Sequence, residues 1–419
     1  MTLAIHGGTP VRTEPFPSPP GFGYDEREAA NHVLNSGVLS GFRVGGDAFY
    51  GGPQVRALEA AWQERFKVKH AVTVNSATSA LDAAVQAVGV KPGDEVIVSP
   101  WTMSASVACV LASGGIPVFA DIEPVTFGLD PDSVHRLISP KTKAIIIVDL
   151  FGCVPAGMES IQHLATDYGL ALIEDASQTP GATDQHGNFA GTLGDIGVFS
   201  LNIHKTIQCG EGGVAATNDD RLAERLMLVR NHGEAVVAVR GPSSKYYAHQ
   251  DIIGHNWRMG EIEAAIATVQ LGRLEELTRP RIRIAEWMTA MLNDLEGLTL
   301  PVVPEGLRHV FYLYAVRTSI GGFLEALQAE GIPASRYVPP IYGQPIHRNS
   351  RPTWNGCPEA ERAYREVFTT PLVHAEMTDQ DVMDVMDGFR KVHAELTAST
   401  PPRSAETIRG GTPLESPHA

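Results

Sequence analysis

The sequence contains few cysteines and has little positive charge for its length. Its four cysteines, at positions 109, 153, 209 and 357 of 419 residues, form no Cys-x-x-Cys pair. This spacing excludes a zinc ribbon or thioredoxin-type site and a disulfide scaffold, so we predict a reducing, cytoplasmic setting. Lysine and arginine total 33 against 48 aspartates and glutamates, a net charge of −15. Binding to nucleic acid or to an anionic membrane is therefore not expected.

Long apolar stretches are also missing. The longest runs, such as residues 144–148, fall far short of the roughly 20 residues that cross a bilayer. The N-terminal residues lack the basic segment and apolar run of a secretory signal, so we expect no association with a membrane. A hydrophobic content of 43% is nevertheless ample for a buried core.

Strand-like and helix-like segments alternate through the first half of the chain. The sequence predicts strands at residues 70–75, 95–99, 117–121, 144–149, 170–174, 196–201 and 213–217. It predicts intervening or following helices at residues 77–88, 103–112, 131–138, 158–168 and 221–230. Such alternation is typical of an α/β fold with a mostly parallel sheet, whose ligands bind at the carboxyl ends of the strands.

Composition divides the chain into four predicted regions. Residues 1–23 are proline-rich and are expected to form an extended N-terminal arm, followed by a large domain at 24–285. Residues 286–396 are expected to form a smaller α+β domain, with a strand at 309–317. The tail at 397–419 is rich in Pro, Ser, Thr and Gly and is predicted to be disordered.

Two residues at predicted strand ends carry complementary chemistry. Lys205 follows one strand and precedes a glycine-rich loop, where burial would favour a neutral amine able to form a Schiff base with an aldehyde. Asp175 ends another strand and can pair with a protonated ring nitrogen. Considered alone, Lys205 is more simply interpreted as a solvated side chain, and Asp175 as a turn residue. Together they are the two groups that pyridoxal 5′-phosphate (PLP) chemistry needs from a protein.

Small and hydroxyl residues at a strand-to-helix turn indicate an anion site. Ser76 is the predicted N-cap, and the backbone at Ala77 and the hydroxyl of Thr78 would face a phosphate at the helix N-terminus. Ser200 could add a hydroxyl, and Trp101 at a neighbouring strand end could stack on a flat ring. Ordinary N-capping and a core position for the tryptophan are the simpler alternatives.

These segments together resemble the DegT/DnrJ/StrS family of sugar aminotransferases, which are fold-type I PLP enzymes. The resemblance spans about residues 5–395 and rests on six motifs: Asn75-Ser-Ala-Thr-Ser-Ala-Leu81, Pro117-Val-Phe-Ala-Asp121, Glu174-Asp-Ala-Ser-Gln178, Gly194-Asp-Ile-Gly-Val-Phe-Ser200, Gly210-Glu-Gly-Gly213 and Asn256-Trp-Arg-Met259. It implies a large domain with a mixed, mostly parallel sheet flanked by helices and a smaller C-terminal α+β domain.

The resemblance assigns roles around the ring of the cofactor. Lys205 matches the lysine that binds PLP and carries protons, and Asp175 matches the partner of the pyridine nitrogen. Gln178 matches a residue near the phenolic oxygen, and Trp101 takes the place of a stacking Tyr or Phe. No metal is implied.

Other matches concern the phosphate and the assembly. Ala77, Thr78 and Ser200 match the phosphate cradle of the same subunit. Asn256 matches a residue that reaches the phosphate from the neighbouring subunit, which implies a homodimer with shared active sites. Candidates for substrate contact, which have surface or packing roles as the alternative, are Asn202, His204, Arg258, His309, Arg336 and Tyr337.

The implied activity is transfer of an amino group from glutamate or glutamine to a keto-sugar or keto-cyclitol. Some relatives that have histidine at the lysine position are dehydratases, so the presence of Lys205 favours transamination. Two alternatives remain at this point: a PLP-dependent nucleotide-sugar dehydratase or lyase, and a PLP-binding regulator without catalysis.

Overall fold

A seven-stranded sheet forms the centre of the larger part of the molecule. The computed structural model describes residues 2–42, 46–233, 252–347 and 356–398. The strands of the sheet are β1 (His70–Val74), β2 (Glu95–Val98), β3 (Ile116–Phe119), β4 (Thr142–Val148), β5 (Ala171–Asp175), β6 (Ile196–Ser200) and β7 (Gly213–Thr217). Their spatial order is β1-β7-β6-β5-β4-β2-β3, and only β7 runs antiparallel to its neighbours. The predicted α/β fold with a mostly parallel sheet is confirmed.

Helices cover both faces of this sheet. They are α1 (Tyr24–Ser36), α2 (Pro53–Phe66), α3 (Ala77–Ala87), α4 (Ala105–Ala112), α5 (Pro131–Leu137), α6 (Met158–Tyr168), α7 (Asp220–Arg230) and α8 (Glu261–Gly272). In β4, Ile146 packs in the core under α3 and α4, while Ile145 and Ile147 pack on the opposite side with residues of α6. This burial on both faces explains why β4 is a continuous apolar run in the sequence.

A second, antiparallel sheet organises the C-terminal part. Its elements are α9 (Leu274–Leu292), β8 (Leu298–Thr299), β9 (Tyr314–Thr318), α10 (Phe323–Ala329), β10 (Ser335–Arg336), α11 (Pro358–Glu366), β11 (Val367–Thr370) and α12 (Asp379–Ala398). The strand order is β10-β11-β9-β8, and the sheet shares a core with α9, α10 and α12. Helix α9 runs unbroken through residue 285, and its later residues pack in this second core. The division of the chain at 285 stays a prediction.

The segment before β9 differs from the prediction. The expected strand at 309–317 begins only at Tyr314. Residues before it instead contact the turn that follows β4: the amides of Val310 and Leu313 donate to the carbonyls of Gly152 (2.8 Å) and Phe151 (3.3 Å). Phe311 has φ +48°, which no regular strand accommodates. Residues 309–313 therefore form a bridge between the two sheets.

The N-terminal residues are held in place by contacts with the C-terminal part of the molecule. Residues 2–23, here called the N-terminal strap, begin with Leu3 in the core of the second sheet. Arg12 forms ion pairs with Asp381 (2.7 Å) and Asp384 (2.8 Å) of α12. After the strap, α1 packs on α8, so this segment connects the two parts of the molecule. Helix α12 ends at Ala398, two residues into the predicted tail, and residues 399–419 lie outside the described residues.

Glu330 anchors the strap, and its neutralisation should destabilise the protein. Its fully buried carboxylate accepts the amides of Ala4 (2.8 Å) and Val11 (3.0 Å) and pairs with Lys391 (2.7 Å). Glu330→Gln replaces one acceptor oxygen by a donor, so we expect a loss of about 1.5–3 kcal/mol in the free energy of unfolding, measured in urea. Glu325→Gln, an exposed position in α10, is the matched control. Equal stability of the two variants would contradict this role.

The described residues contain no helix that is both long and apolar enough to cross a membrane. The same part of the chain holds no cluster of three or more His, Cys, Asp or Glu suited to a metal ion. All four cysteines are buried free thiols. The cytoplasmic setting stays a prediction.

Candidate active site

A cavity of about 470 Å³ lies at the carboxyl ends of the central strands. Residues after four strands of the large sheet line it: Ala77 and Thr78 after β1, Thr102 and Met103 after β2, Ser177 and Gln178 after β5, and Asn202, His204 and Lys205 after β6. Tyr312 of the bridge and Tyr337 after β10 close it from the other side. The cavity thus occupies the position where parallel sheets bind ligands.

Lys205 presents its amine to this cavity. The side chain is half-buried, and Nζ lies 4.8 Å from the centre of the Tyr312 ring. Burial lowers the pKa of Lys205 to about 8, although the nearby Asp175 carboxylate acts in the opposite direction. A lysine in this state has a much larger neutral fraction near neutral pH than an ordinary lysine, and the neutral amine can attack an aldehyde.

Asp175 is held in one orientation by two donors. Its Oδ2 accepts the hydroxyl of Ser106 in α4 (2.7 Å), and its Oδ1 accepts the amide of Ser177 (3.2 Å). The residue is 6% exposed and lines the cavity. Neither of these donors is a cation, so the carboxylate remains available to a positively charged ring nitrogen of a ligand.

The N-terminus of α3 forms an anion-binding corner. The hydroxyl of Ser76 accepts the amide of Ser79 (3.1 Å), which confirms the predicted N-cap. The first-turn amides of a helix lack intrahelical acceptors, and Ala77 and Thr78 face the cavity. A Cβ at Gly213 would lie 2.6 Å from the Ala77 nitrogen, so glycine is required where β7 approaches this corner.

Gln178 connects the two parts of the molecule at the cavity. Its Oε1 accepts the amide of Phe151 (2.8 Å), and its Nε2 donates to the hydroxyl of Tyr337 (3.2 Å). Burial raises the pKa of Tyr337 above its ordinary value, so its hydroxyl stays protonated. Both side chains are therefore fixed hydrogen-bonding groups in the cavity wall.

The residues present fit PLP. The α3 corner with the Ser200 hydroxyl suits its phosphate, Asp175 suits its protonated ring nitrogen, and Lys205 suits its aldehyde. Gly213 leaves room where a side chain would fill the phosphate corner. This chain would accordingly hold the cofactor through groups from at least three strand ends.

Trp101 lies behind the cavity wall rather than on its surface. Its side chain is fully buried and makes edge-on contacts with Phe127, Phe151 and Tyr337, with ring centres 5.3–5.7 Å apart. Met103, which is 56% exposed, lines the cavity instead. The expected stacking role of Trp101 does not match this placement, because the turn after β2 directs the tryptophan into the core.

His309 and Arg336 are also placed away from the cavity. The Nδ1 of buried His309 accepts the amide of Phe311 (2.9 Å), and the two rings stack with centres 3.9 Å apart. Burial lowers the pKa of His309 to about 3, so it is a neutral core residue of the bridge. Arg336 is exposed in β10 and donates to the backbone carbonyl of Arg365. Neither residue lines this cavity.

Asn256 and Arg258 lie outside the lining of this chain's own cavity. Asn256 is exposed, and its Oδ1 accepts Nε of Arg258 (2.7 Å). Arg258 also donates to Oδ1 of Asn231 (3.3 Å). The other predicted site residues surround the cavity: Ala77, Thr78, Asp175, Gln178, Ser200, Asn202, His204, Lys205 and Tyr337.

Four further residues belong to the site but escaped the sequence analysis. Ser106 could have been predicted from the sequence, because a serine within the otherwise apolar helix α4 indicates a polar partner. Tyr312 was hidden within a predicted strand. Met103 and Glu211 also line the cavity. Met103 starts a predicted helix and Glu211 lies in the Gly210-Glu-Gly-Gly213 motif, but neither pattern indicates that the side chain faces a ligand.

Most of the chain is similar to known proteins. The family described as the DegT/DnrJ/EryC1/StrS aminotransferase family matches residues 41–390. GDP-perosamine synthase of Caulobacter vibrioides is 38% identical over 341 residues, 80% of this chain and 88% of the relative. L-glutamine:2-deoxy-scyllo-inosose aminotransferase of Streptomyces kanamyceticus is 34% identical, and the match covers 93% of this chain and 96% of the relative.

Solved structures show the same fold. The aminotransferase from Psychrobacter cryohalolentis has a TM-score of 0.82 and 29% identity, covering 91% of this chain and 100% of its own. NtdA from Bacillus subtilis, solved with bound cofactor PMP, has a TM-score of 0.76 and 27% identity, covering 89% of this chain and 83% of its own.

Proposed function

The chain belongs to the DegT/DnrJ/EryC1/StrS aminotransferase family and is a PLP-dependent aminotransferase, and on this premise we propose that it transfers an amino group from glutamate or glutamine to a keto-sugar or keto-cyclitol. The observation that carries the proposal is the convergence of Lys205, Asp175 and the α3 corner on one cavity. The activities named for its relatives, on a GDP-sugar and on a cyclitol, support the acceptor class.

The proposed reaction assigns a task to each residue. Bound PLP supplies an aldehyde that reacts with amines and a ring that accepts electrons. Lys205 would hold the aldehyde and, when freed by the amino donor, its Nζ would take up and release the proton that leaves the donor's Cα. Asp175 would keep the ring nitrogen protonated, and Gln178 and Tyr337 would offer hydrogen bonds beside the ring.

The remaining cavity side chains suit a hydroxylated acceptor. Asn202, His204 and Glu211 line the cavity beyond the groups assigned to the cofactor, and the Asn202 amide donates to Glu211 (3.0 Å). Amide, imidazole and carboxylate groups together can donate to and accept from the hydroxyls of a sugar or cyclitol. In the described lining, Lys205 is the one lysine or arginine.

A half-reaction screen tests this function. PLP-loaded protein is mixed with single amines, and loss of the visible absorption of lysine-bound PLP is followed. We expect glutamate or glutamine, and in the reverse direction an aminocyclitol or amino-sugar, to convert the cofactor to its amine form with release of the matching keto compound. Conversion by neither donor, or release of ammonia without a keto acid, would contradict the proposal and favour lyase chemistry.

We further propose that the enzyme is a homodimer with shared active sites. Three large apolar side chains near the cavity and near Asn256 are exposed in the single chain: Met103 (56%), Ile203 (60%) and Ile253 (76%). Burying such groups against a second copy is favourable. Asn256, which does not face its own cavity, would then reach the partner's phosphate corner.

Subunit mixing tests the sharing of sites. Lys205→Ala and Asn256→Ala proteins, each expected to be impaired, are dissociated together and reassociated. If Asn256 serves the partner's cavity, mixed dimers contain one intact site, and activity should return to about one quarter of the wild-type value. If both residues serve the same cavity, every site in the mixture remains damaged and no activity returns. Each variant carried through alone is the control.

A further inference from the structure

Two fully buried carboxyl groups lie directly behind the cofactor cavity. Asp149 follows the last residue of β4, and Glu174 precedes Asp175 in β5. Neither has any exposed surface. Glu174 is paired with Ile147 in the β4–β5 ladder, and side chains alternate along a strand. Asp149 and Glu174 therefore occupy the face of the sheet opposite to Asp175.

In each of these two carboxyl groups, one oxygen accepts a hydrogen bond and the other oxygen has no hydrogen-bond donor. Thr179 donates its hydroxyl to Oδ2 of Asp149 (3.0 Å), and the amide of Leu193 donates to Oε2 of Glu174 (2.9 Å). In the described part of the chain, Oδ1 of Asp149 and Oε1 of Glu174 have no hydrogen-bond donor. The two side chains are within hydrogen-bonding reach of each other.

We propose that Asp149 and Glu174 share one proton and are positioning residues for Asp175. Two adjacent buried carboxyl groups cannot both ionise at modest cost, since like charges repel strongly in a poorly polar interior. One proton between them forms an O–H···O⁻ bond that satisfies both remaining oxygens. The pair then carries a single negative charge.

The pair is connected to Asp175 through the backbone. Glu174 is its immediate neighbour in β5, and the amide of Asp149 donates to the carbonyl of Asp175 (3.1 Å). Thr179, the donor to Asp149, ends the turn that contains Ser177 and Gln178. The shared proton thus joins the end of β4, the end of β5 and the turn that carries two cavity residues.

The neighbouring groups favour retention of the proton. Burial, with the charge of Glu174, raises the pKa of Asp149 well above its ordinary value, against the Thr179 hydroxyl. Burial also raises the pKa of Glu174, and this effect outweighs the backbone amides of Gly191, Leu193 and Gly194, which lower it. Asp175 adds a further negative charge, and the thiol of Cys153, whose pKa burial also raises, faces Asp149. The groups that act on the pair in the described structure include no cation.

These raised pKa values fix the sign of the pH dependence. Such a carboxyl group keeps its proton in the folded protein but releases it in the unfolded chain. The folded state therefore loses stability as the pH rises from the unfolded pKa to the folded pKa of the group. The unfolding equilibrium constant should therefore rise with pH through this window, by up to tenfold per unit for one proton.

Infrared spectroscopy and unfolding experiments test the shared proton directly. At pH 8, where Asp82, with a pKa raised by burial to about 6, is ionised, the wild type should show a protonated carboxyl C=O band. Asp149→Asn and Glu174→Gln each place an N–H where the proton would lie, so both should fold, lack the band and show a flatter pH dependence of unfolding. Asp195→Asn is the matched control: its exposed carboxylate also accepts a β5 amide, that of Leu172 (2.8 Å), and the band should persist.

The positioning role has a separate readout. Glu174→Leu removes the bond, whereas Glu174→Gln keeps it, so we expect weaker PLP binding in the leucine variant and near wild-type affinity in the glutamine variant. Equal PLP affinity in both would overturn the positioning role. A wild type without the C=O band, or amide variants with the wild-type pH dependence, would overturn the shared proton. The band and the unfolding curves require no turnover, so they are independent of the proposed substrate.

Discussion

Lys205→Ala is expected to remove the visible absorption of lysine-bound PLP and to lower turnover by at least roughly 10²- to 10⁴-fold. The variant loses both the amine that binds the aldehyde and the group that moves the proton. Because the side chain is only half-buried, the substitution should leave the fold intact, and circular dichroism can check this. Absorbance and single-turnover rates with glutamate measure the effect.

A control variant and the pH dependence of PLP binding test whether the effect belongs to Lys205. Lys143→Ala removes an exposed lysine of β4 and should leave absorbance and rate unchanged. In the wild type, the rate at which PLP adds to the apoprotein should rise with pH and level off above the Lys205 pKa of about 8, since only the neutral amine attacks. Normal transamination by Lys205→Ala would refute the assignment.

Asp175→Asn is expected to lower the rate of the amino-donor half-reaction by about 10²- to 10³-fold. Asparagine preserves the size of the side chain and can accept the Ser106 hydroxyl, but it carries no charge to hold a proton on the ring nitrogen. The loss should appear in the rate of cofactor conversion more than in the stability of the protein. A matched variant, Asp184→Asn, changes a buried aspartate whose described partners are Asn188 and His186, away from the cavity.

The rates of cofactor conversion in these variants separate the effect of the Asp175 charge from the effect of its orientation. If Asp175→Asn binds PLP and absorbs visible light but converts slowly, the carboxylate acts on the ring electronically. If Ser106→Ala lowers the rate by a similar factor, orientation of the carboxylate would account for part of the effect. A rate equal to that of the wild type would show that Asp175 does not pair with the ring.

Local signals were sufficient to predict the scaffold of the site. The N-cap at Ser76 depends on neighbouring residues alone, and the apolar run of β4 follows from burial on both faces. The strand ends that place Asp175 and Lys205 were predicted within one or two residues. Sequence patterns capture such features because the periodicity of strands and helices is a local property.

Other features depend on contacts between distant segments. Strands β8 and β10 contain two residues each, too few for any periodic pattern. The bridge at 309–313 takes its conformation from docking on Gly152, where even a Cβ would lie 2.7 Å from the Tyr312 nitrogen. Met103 lines the cavity where Trp101 was expected, because of the direction of the loop after β2. Residue types alone do not encode that direction.

The N-terminal strap has a consequence for how the chain folds. The backbone carbonyl of Thr9 accepts Nζ of Lys391, a contact that spans 382 positions, and Arg12 reaches Asp384 across 372. Contacts of such sequence separation form late, because the loop that they close is costly in entropy. During synthesis, the strap residues that contact α12 therefore remain without these partners until α12 has been made, although Glu330 is made earlier. Folding of the second sheet is complete only when both ends of the chain have met.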